Sequence, residues 1–384
     1  MRVLFVLHAP RDPKAAVFAY AEERRAFLQA QGHEGEVWTP QDFPRLRRWH
    51  PRWLPLAYPW VVLRRLLRGP EAFDLVMFHS FAGWASLLAR PFSARLEANS
   101  MVVQFHGLEP LYLAVTSAQA EASGRPFSLR FRLLAGPVMN ALLRLSCRRA
   151  DAVLVLNQAE RNYLSSREWA EPERIAVVAN AAPSAFLALR EDAREPGRLL
   201  FLGQWLAAKG IAELVAAFEI LAQHRPGARL CCLGTRRPAE EVLAEFPASV
   251  AGQVEVIPSA DRGEIARELE RAEVFVFPSH SEGASLALAE ALAAGLPVVA
   301  TRVGAAADLL VSGESALLVE PGDAAALAAA VERFWAEPEL GRRCGARARE
   351  VARGLSAERV LEQDLARMLA LVKPRRPTPQ VVHA

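Results

Sequence analysis

Residues 281–300 read Ser281-Glu282-Gly283-Ala284-Ser285-Leu286-Ala287-Leu288-Ala289-Glu290-Ala291-Leu292-Ala293-Ala294-Gly295-Leu296-Pro297-Val298-Val299-Ala300. This pattern predicts a loop, a short helix, a turn and a buried strand. Glu290 is a carboxylate on a helix that is otherwise apolar. Burying a carboxylate is costly unless it is paired or hydrogen-bonded, so the segment indicates that Glu290 holds a polar ligand.

The start of the same helix predicts a phosphate site. Gly283, Ala284, Ser285 and Leu286 would present free backbone N–H groups where the helix dipole favours negative charge. Glu282 and Glu290 would flank this site and bind hydroxyl groups on either side. A phosphate between two hydroxyl-bearing groups describes a nucleotide sugar. The alternative is a solvated loop carboxylate at 282 and a carboxylate on an exposed helix face at 290.

Outward from this segment, short apolar runs alternate with amphipathic helical patterns, as in parallel, doubly wound α/β sheets. Twelve strands are too many for one ordinary sheet, and two sets of six fit two Rossmann-like domains facing across a cleft. The predicted strands are 3–8, 35–38, 74–79, 101–105, 152–156, 175–179, 199–202, 228–233, 254–257, 274–277, 297–300 and 316–319. Predicted helices include 16–31, 210–224, 262–271, 324–335 and 356–372.

The domain limits follow from a polar, proline-bracketed segment after residue 183. We predict an N-terminal domain at 1–183, a linker at 184–197 and a C-terminal domain at 198–355. A last helix occupies 356–372. The proline-rich polar tail at 373–384 is predicted to be disordered.

Composition indicates a globular protein with a large core. The chain has 384 residues, 52% hydrophobic and 23% charged, and a net charge of +3 that does not suggest nucleic acid. No metal-binding spacing appears among its cysteines, which predicts reduced core residues of a cytosolic protein. They are Cys147, Cys231, Cys232 and Cys344. The first apolar run is too short for a signal peptide, and the longest is interrupted, so we expect a cytoplasmic location.

Two further motifs lie at the predicted carboxyl edges of the sheets, where open α/β folds bind ligands. Gly203 and Gln204 open a loop that ends at Lys209, a point charge suited to a diphosphate. His106 follows a buried strand and precedes a glycine, so it would point across the cleft. The alternatives are a tight turn with a surface lysine and a structurally hydrogen-bonded histidine.

The chain has no Asp-x-Asp triplet, the kind of clustered carboxylates expected where a metal holds a diphosphate. Lys209 and the helix start could neutralise the leaving group instead. We therefore expect no metal and no cofactor beyond the donor substrate.

Residues 45–68 are dense in arginine and tryptophan around an apolar middle, and residues 127–149 add positive charge. This is typical of a segment at an anionic membrane surface. The equal alternative is a packed helix with a solvated basic edge. No nucleic-acid module accompanies these residues, so nucleic acid is not an expected partner.

Together these motifs make the chain resemble the retaining glycosyltransferases of family 4, which have the GT-B fold. The resemblance covers nearly the whole chain and is strongest from Gly203 to about Asp323. Its marks are Glu282-x7-Glu290, Ala293-x-Gly-x-Pro-Val298, Gly203…Lys209-Gly210, Phe277-Pro278-Ser279, Ala300-Thr301-x-Val303-Gly304 and Glu320-Pro321-Gly322-Asp323.

The resemblance implies a role for each matching residue. Glu282 would contact the hydroxyls of the donor sugar, and Glu290 the ribose. Lys209 and the N–H groups of 283–286 would bind the diphosphate, while His106 would touch the sugar near the reacting carbon. It also implies front-face attack by the acceptor hydroxyl, and a last helix that returns to the N-terminal domain. The acceptor class stays open among a glycan, a lipid-linked molecule and a small molecule.

The chain departs from the family pattern at three places, one of which is a minor change at a strand end, Asn180-Ala181 where Asn-Gly is frequent. Gln204 stands where the family usually has arginine, and an amide donates a weaker hydrogen bond than a guanidinium. The first loop lacks the family's paired glycines, and Arg11 or Lys14 would have to supply charge there. A second hypothesis is therefore a GT-B-shaped scaffold with impaired catalysis at the membrane surface.

Overall fold

The computed structural model describes residues 1–12, 15–48, 54–70, 72–122, 128, 135–190 and 192–372. Within these residues twelve strands form two six-stranded sheets. The strands are β1 Arg2–Val6, β2 Glu34–Trp38, β3 Leu75–His79, β4 Ser100–Gln104, β5 Ala152–Val155, β6 Ile175–Val177, β7 Arg198–Leu202, β8 Arg229–Leu233, β9 Val254–Ile257, β10 Val274–Phe277, β11 Val298–Thr301 and β12 Leu317–Val319.

Every pairing in both sheets is parallel. The first sheet has the order β2-β1-β3-β4-β5-β6, and the second has the order β12-β11-β10-β7-β8-β9. The twelve predicted strands and their division into two sets of six are confirmed, with ends that differ by at most two residues. Central strands such as β3 and β4 are buried along their whole length, which explains their continuous apolar runs.

Helices connect the strands and cover both sheets. In the described residues they are α1 Ala16–Ala30, α2 Leu54–Arg68, α3 Trp84–Ala89, α4 Ala94–Glu97, α5 Glu109–Ala122, α6 Gly136–Arg149, α7 Gln158–Ser166, α8 Ile211–His224, α9 Ala239–Leu243, α10 Ala248–Ala251, α11 Arg262–Arg271, α12 Leu286–Ala293, α13 Gly304–Leu309, α14 Ala324–Ala336, α15 Pro338–Gly354 and α16 Ala357–Leu371.

The helix starts follow capping chemistry that is written in the sequence. Ser285 accepts the N–H of Leu288 at the start of α12, and Asn157 accepts the N–H of Glu160 at the start of α7. Asp261 and Glu264 form a reciprocal capping box at α11. The helix predicted from residue 210 begins one residue later, because Gly210 is left-handed and forms its cap.

The last helix returns to the first sheet, as the resemblance implied. Met368 on α16 packs in the core cluster that contains Leu75 and Val102. Asp364 on the same helix lies 2.7 Å from the guanidinium of Arg24 on α1, and both side chains are buried.

Part of the predicted linker is packed. Phe186 is buried in the core cluster that also contains Leu292 of α12, so the chain joins the second sheet before residue 190. The domain limits themselves stay predictions, and the tail at 373–384 lies outside the described residues. All four cysteines are buried. None of the helices in the described ranges has both the length and the apolar character to cross a membrane.

Candidate functional site

Two residues predicted from separate motifs meet where β7 and β10, neighbours in the second sheet, come to their carboxyl ends. The ammonium group of Lys209 donates to Oε1 of Glu282. The hydroxyl of Ser279 donates to the same oxygen at 3.0 Å. The Lys209 side chain is 27% exposed and that of Glu282 is 11% exposed, so the pair borders solvent.

The local backbone explains why Lys209 reaches this place. Lys209 ends a 3-10 turn that begins at Ala207, and the following Gly210 has φ of 69°. A Cβ atom at Gly210 would overlap the carbonyl group of Pro278, so only glycine fits without displacement. The N–H of His280 also donates to the carbonyl of Ala208 at 2.9 Å. The lysine turn and the Glu282 loop are thus fixed to each other.

The start of α12 has the arrangement that the sequence predicted for an anion. Gly283 is buried, and Ser285 caps the helix. Among the described residues, none accepts a hydrogen bond from the backbone N–H groups of Gly283, Ala284 or Ser285. These donors and the helix dipole favour negative charge close to Lys209.

Glu290 lies on α12 one turn beyond the exposed Leu286 and is itself partly buried. Burial raises the pKa of Glu290 to about 7, while the positive charge of Arg262 acts in the opposite direction. A carboxyl group kept close to neutrality can both donate and accept hydrogen bonds.

His106 lies two residues beyond β4 and is held by other aromatic rings. Its Nε2 lies 2.6 Å from Nδ1 of His79, and the two rings stack with centroids 4.8 Å apart. The ring of Tyr20 packs edge-on against His106. Burial, with the charges of His8 and Arg24, lowers the pKa of His106 to about 3. His106 is therefore a neutral imidazole at physiological pH.

The two sheets approach each other closely at this point. A Cβ atom at Gly283 would lie 3.1 Å from Cα of Gly107 and 2.8 Å from Cδ1 of Leu156. The His106-Gly107 corner and the Glu282-Gly283 corner therefore face each other at contact distance. Helix α5 also lies against the turn that carries Lys209. The loops that carry His106 and Glu282 therefore adjoin each other at the boundary between the two halves.

Other predicted residues are not brought into this cluster by a side-chain contact. Gln204 is exposed, and its backbone carbonyl accepts the N–H of Leu206. Gly203 donates its N–H to Leu233. Arg11 of the first loop forms a two-oxygen ion pair with Asp42 at 2.9 and 3.0 Å, so its charge is already compensated. Lys14 lies outside the described residues.

Sequence reasoning did not single out four polar residues that support the cluster. Ser279 and Asn180 were only parts of family motifs, and His79 was only the end of a strand. Asn157 and Asn180 donate to backbone carbonyls of residues 282–284. Their position after β5 and β6, at the same sheet edge as His106, was the available signal.

One group of possible metal ligands occurs in the described part of the chain, and it contains none of the residues of this cluster. It consists of Cys231, Glu255 and Glu268. Arg198, at the first residue of β7, pairs with both carboxylates at 2.7 and 2.5 Å. A positive charge therefore already occupies this group, at the opposite end of β7 from Gly203.

Comparison with known proteins gives matches along most of the chain. Residues 190–351 match the family model described as Glycosyl transferases group 1, and residues 15–185 match that of Glycosyltransferase Family 4. The D-inositol 3-phosphate glycosyltransferase of Pseudarthrobacter chlorophenolicus is 35% identical over 186 residues, covering 46% of this chain and 44% of that protein. The chain spans about half the length of the curated relatives it matches.

Solved structures share the architecture over nearly the whole length. Sucrose-phosphate synthase from Thermosynechococcus elongatus superposes with a TM-score of 0.78 at 23% identity, covering 97% of this chain and all of that one. The Anabaena protein HepE, solved in complex with UDP-glucose, has a TM-score of 0.65 at 15% identity, covering 96% and 99%. At these identities the likeness concerns the fold.

Proposed function

The chain belongs to glycosyltransferase family 4 and has the GT-B fold, and from this premise we propose that it transfers a sugar from a nucleoside diphosphate donor to an acceptor hydroxyl. The observation that carries the proposal is the cluster of Lys209, Glu282 and the open N–H groups at the start of α12. It combines a cation, an acceptor for hydroxyls and an anion site within one cleft. HepE, which shares the fold, was solved with UDP-glucose.

The donor would lie along the carboxyl edge of the second sheet. Its diphosphate binds Lys209 and the N–H groups of 283–286, next to Gly203 and Gln204. Glu290 accepts the ribose hydroxyls, and Glu282 accepts those of the sugar. Donor binding then replaces the Lys209–Glu282 ion pair, so that each side chain exchanges a protein partner for a ligand group.

The chemistry we propose proceeds with retention at the anomeric carbon. The bond between that carbon and the diphosphate oxygen breaks, and the diphosphate leaves with the electron pair. The acceptor oxygen attacks from the same face, and its proton passes to the departing diphosphate. Lys209 and the helix start stabilise the charge that grows on the leaving group, without a metal ion or further cofactor. Neutral His106 lies across the cleft, where it can donate a hydrogen bond to the sugar without repelling positive charge at the reacting carbon.

The acceptor side is formed by the N-terminal domain. We propose a glycan, lipid-linked or small-molecule acceptor, and a protein that docks on the cytoplasmic face of a membrane. Helix α2 supports the docking: it exposes Trp60 (56%), Leu56 and Leu67 beside Arg64 and Arg68. Exposed indole and arginine side chains are typical of the membrane interface. Residues 49–53 of this segment, and residues 127 and 129–134 of the second basic segment, lie outside the described residues.

A donor screen tests the function directly. The protein is incubated with a panel of nucleoside diphosphate sugars and a cell extract, and released nucleoside diphosphate is measured by mass spectrometry. We expect release from at least one donor, and a loss of about 10²-fold or more in Lys209→Ala because the growing charge loses its cation. Arg347→Ala, which removes an exposed cation on α15, is the matched control.

No release from any donor would contradict the enzyme and support the scaffold hypothesis. Equal turnover of Lys209→Ala and the parent protein, at unchanged melting temperature, would contradict the role of Lys209.

A further inference from the structure

Two asparagines of the N-terminal domain hold three consecutive carbonyl groups of the C-terminal domain. Nδ2 of Asn157 donates to the carbonyls of Glu282 at 3.4 Å and Gly283 at 3.2 Å. Nδ2 of Asn180 donates to the carbonyl of Ala284 at 2.9 Å. These three carbonyls precede the helix start where the donor diphosphate is proposed to bind.

Asn157 is rigidly placed. It is 1% exposed, and its Oδ1 accepts the N–H of Glu160 at the start of α7. The carboxylate of Glu160 in turn accepts the N–H groups of Leu108 and Leu156 at 3.0 and 2.9 Å. Asn157 is therefore part of the same framework that holds the His106-Gly107 corner.

Because the peptide group is planar, a contact that fixes the direction of a carbonyl also fixes the direction of the next N–H group at the phosphate site. In a trans peptide the C=O of one residue and the N–H of the next lie in one plane and point in opposite directions. Carbonyls of 282, 283 and 284 that face Asn157 and Asn180 turn the N–H groups of Gly283, Ala284 and Ser285 away from these side chains. Those N–H groups are the ones without a protein acceptor among the described residues.

We propose that Asn157 and Asn180 are positioning residues that orient, from the N-terminal domain, the backbone N–H groups that bind the diphosphate. Their amides hold the carbonyls of Glu282 and Ala284 and so orient the N–H groups of the residues that follow. The carbonyl of Gly283 has a second donor, the N–H of Ala305 at 2.8 Å, so its direction depends less on Asn157. This inference rests on the proposed function, because it assigns the diphosphate to the start of α12. Neither asparagine touches the donor itself.

Substitution by aspartate separates the structural and the positioning roles. The Asn157→Asp variant would keep the oxygen that caps α7, since aspartate is as good an N-cap as asparagine, but its carboxylate cannot donate to the carbonyls. At position 180 the side-chain oxygen has no partner among the described residues, so Asn180→Asp removes the donated hydrogen bond and adds a negative charge. Asn180→Ala removes the same donated hydrogen bond without adding charge and should weaken diphosphate binding as well. Asn162→Asp, at an exposed position of α7, is the matched control.

The experiment measures binding of UDP, ADP and GDP to the full chain by calorimetry, with melting temperature recorded for every variant. We expect Asn157→Asp and Asn180→Asp to weaken binding of the preferred diphosphate about 10-fold or more, the usual effect of losing a buried hydrogen bond and leaving a carbonyl unpaired. Binding of the corresponding nucleoside without phosphate, measured by competition, should change less than about threefold, because only the anion site is disturbed.

The failure of each proposal has its own result. If the parent protein binds none of the three diphosphates, the proposed function fails and this inference fails with it. If the parent binds one and both aspartate variants bind it equally well, the positioning role is wrong and the function stands. An equal loss of nucleoside and diphosphate binding, together with a lower melting temperature, would show a structural role only and also overturn the inference.

Discussion

Glu290 is the residue whose burial has the clearest consequence for stability. In the unfolded chain its carboxyl has the ordinary pKa near 4.5, and burial raises the pKa to about 7 in the folded protein. The folded state thus keeps a proton that the unfolded state loses between these values. Folded stability falls as pH rises from about 4.5 to about 7, by up to about 3 kcal/mol from this group.

Replacing Glu290 by glutamine removes this pH-dependent loss. We expect Glu290→Gln and the parent protein to melt at similar temperatures at pH 4.5, and the variant to melt several degrees higher at pH 8. Differential scanning calorimetry across this range measures the difference, and Glu173→Gln, at an exposed position, is the control. A difference between variant and parent that is constant with pH would contradict the assignment to Glu290.

The sequence allowed residues such as Glu282, Lys209 and His106 to be predicted, because each follows a strand and stands out against apolar neighbours. The structure brings the first two into direct contact, although their roles remain proposals. The sequence placed Asn157 and Asn180 at this sheet edge but did not reveal their partners, since an asparagine before a helix or after a strand also has a local explanation. Their partners lie more than 100 positions away, and no local pattern encodes a hydrogen bond across two domains.

At the scale of elements, a substitution in the turn before α8 tests how Lys209 is positioned. A Cβ atom at Gly210 would overlap the Pro278 carbonyl, and φ at this position is 69°. Gly210→Ala must therefore displace the turn or the Pro278 loop. We expect a loss of about 1–3 kcal/mol in stability and weaker binding of the nucleoside diphosphate.

The control for this substitution is Gly252→Ala, where a Cβ atom meets no neighbour within 4 Å and φ is negative. Chemical denaturation and calorimetric titration measure both variants. Unchanged diphosphate affinity in Gly210→Ala would mean that the turn does not place Lys209 for the anion.

Elements were more predictable than their ends. Central parallel strands such as β3 and β4 are buried on both faces and appear as unbroken apolar runs, which made them easy to locate. The edge strands β2 and β9 are partly exposed and contain glutamate, so they were located from the alternation of strands and helices. Features that depend on contacts between elements were harder to predict from the sequence. The polar composition of residues 184–197 predicted a linker, so the packing of Phe186 into the second core was not expected. Likewise, the ion pair of Arg11 with Asp42 depends on a loop conformation that the sequence does not specify.

At the scale of the whole molecule, two connections join the halves beside the cleft. The chain crosses near Ala182, which pairs with Ser356 in a parallel bridge, and α16 then returns to α1 through Arg24 and Asp364. Removing one partner of such a buried pair leaves an uncompensated charge. The return of α16 therefore ties the second sheet to the first, and its residues Gln363 and Arg367 line the same cavity as Asn180.

The outer surface of the N-terminal domain determines where such a molecule would work. Helix α2 buries Tyr58, Val62 and Leu66 and exposes Trp60 on its other side. If this face docks on anionic lipid, the protein should co-sediment with phosphatidylserine vesicles at low salt. It should be released at high salt, because each arginine near the surface contributes about 1 kcal/mol that salt screens.

Trp60→Ser should reduce the bound fraction severalfold, whereas Val311→Ser, which removes an exposed apolar side chain from the other domain, should not. Absence of sedimentation at low salt would contradict a membrane surface as partner and leave a soluble acceptor as the better proposal.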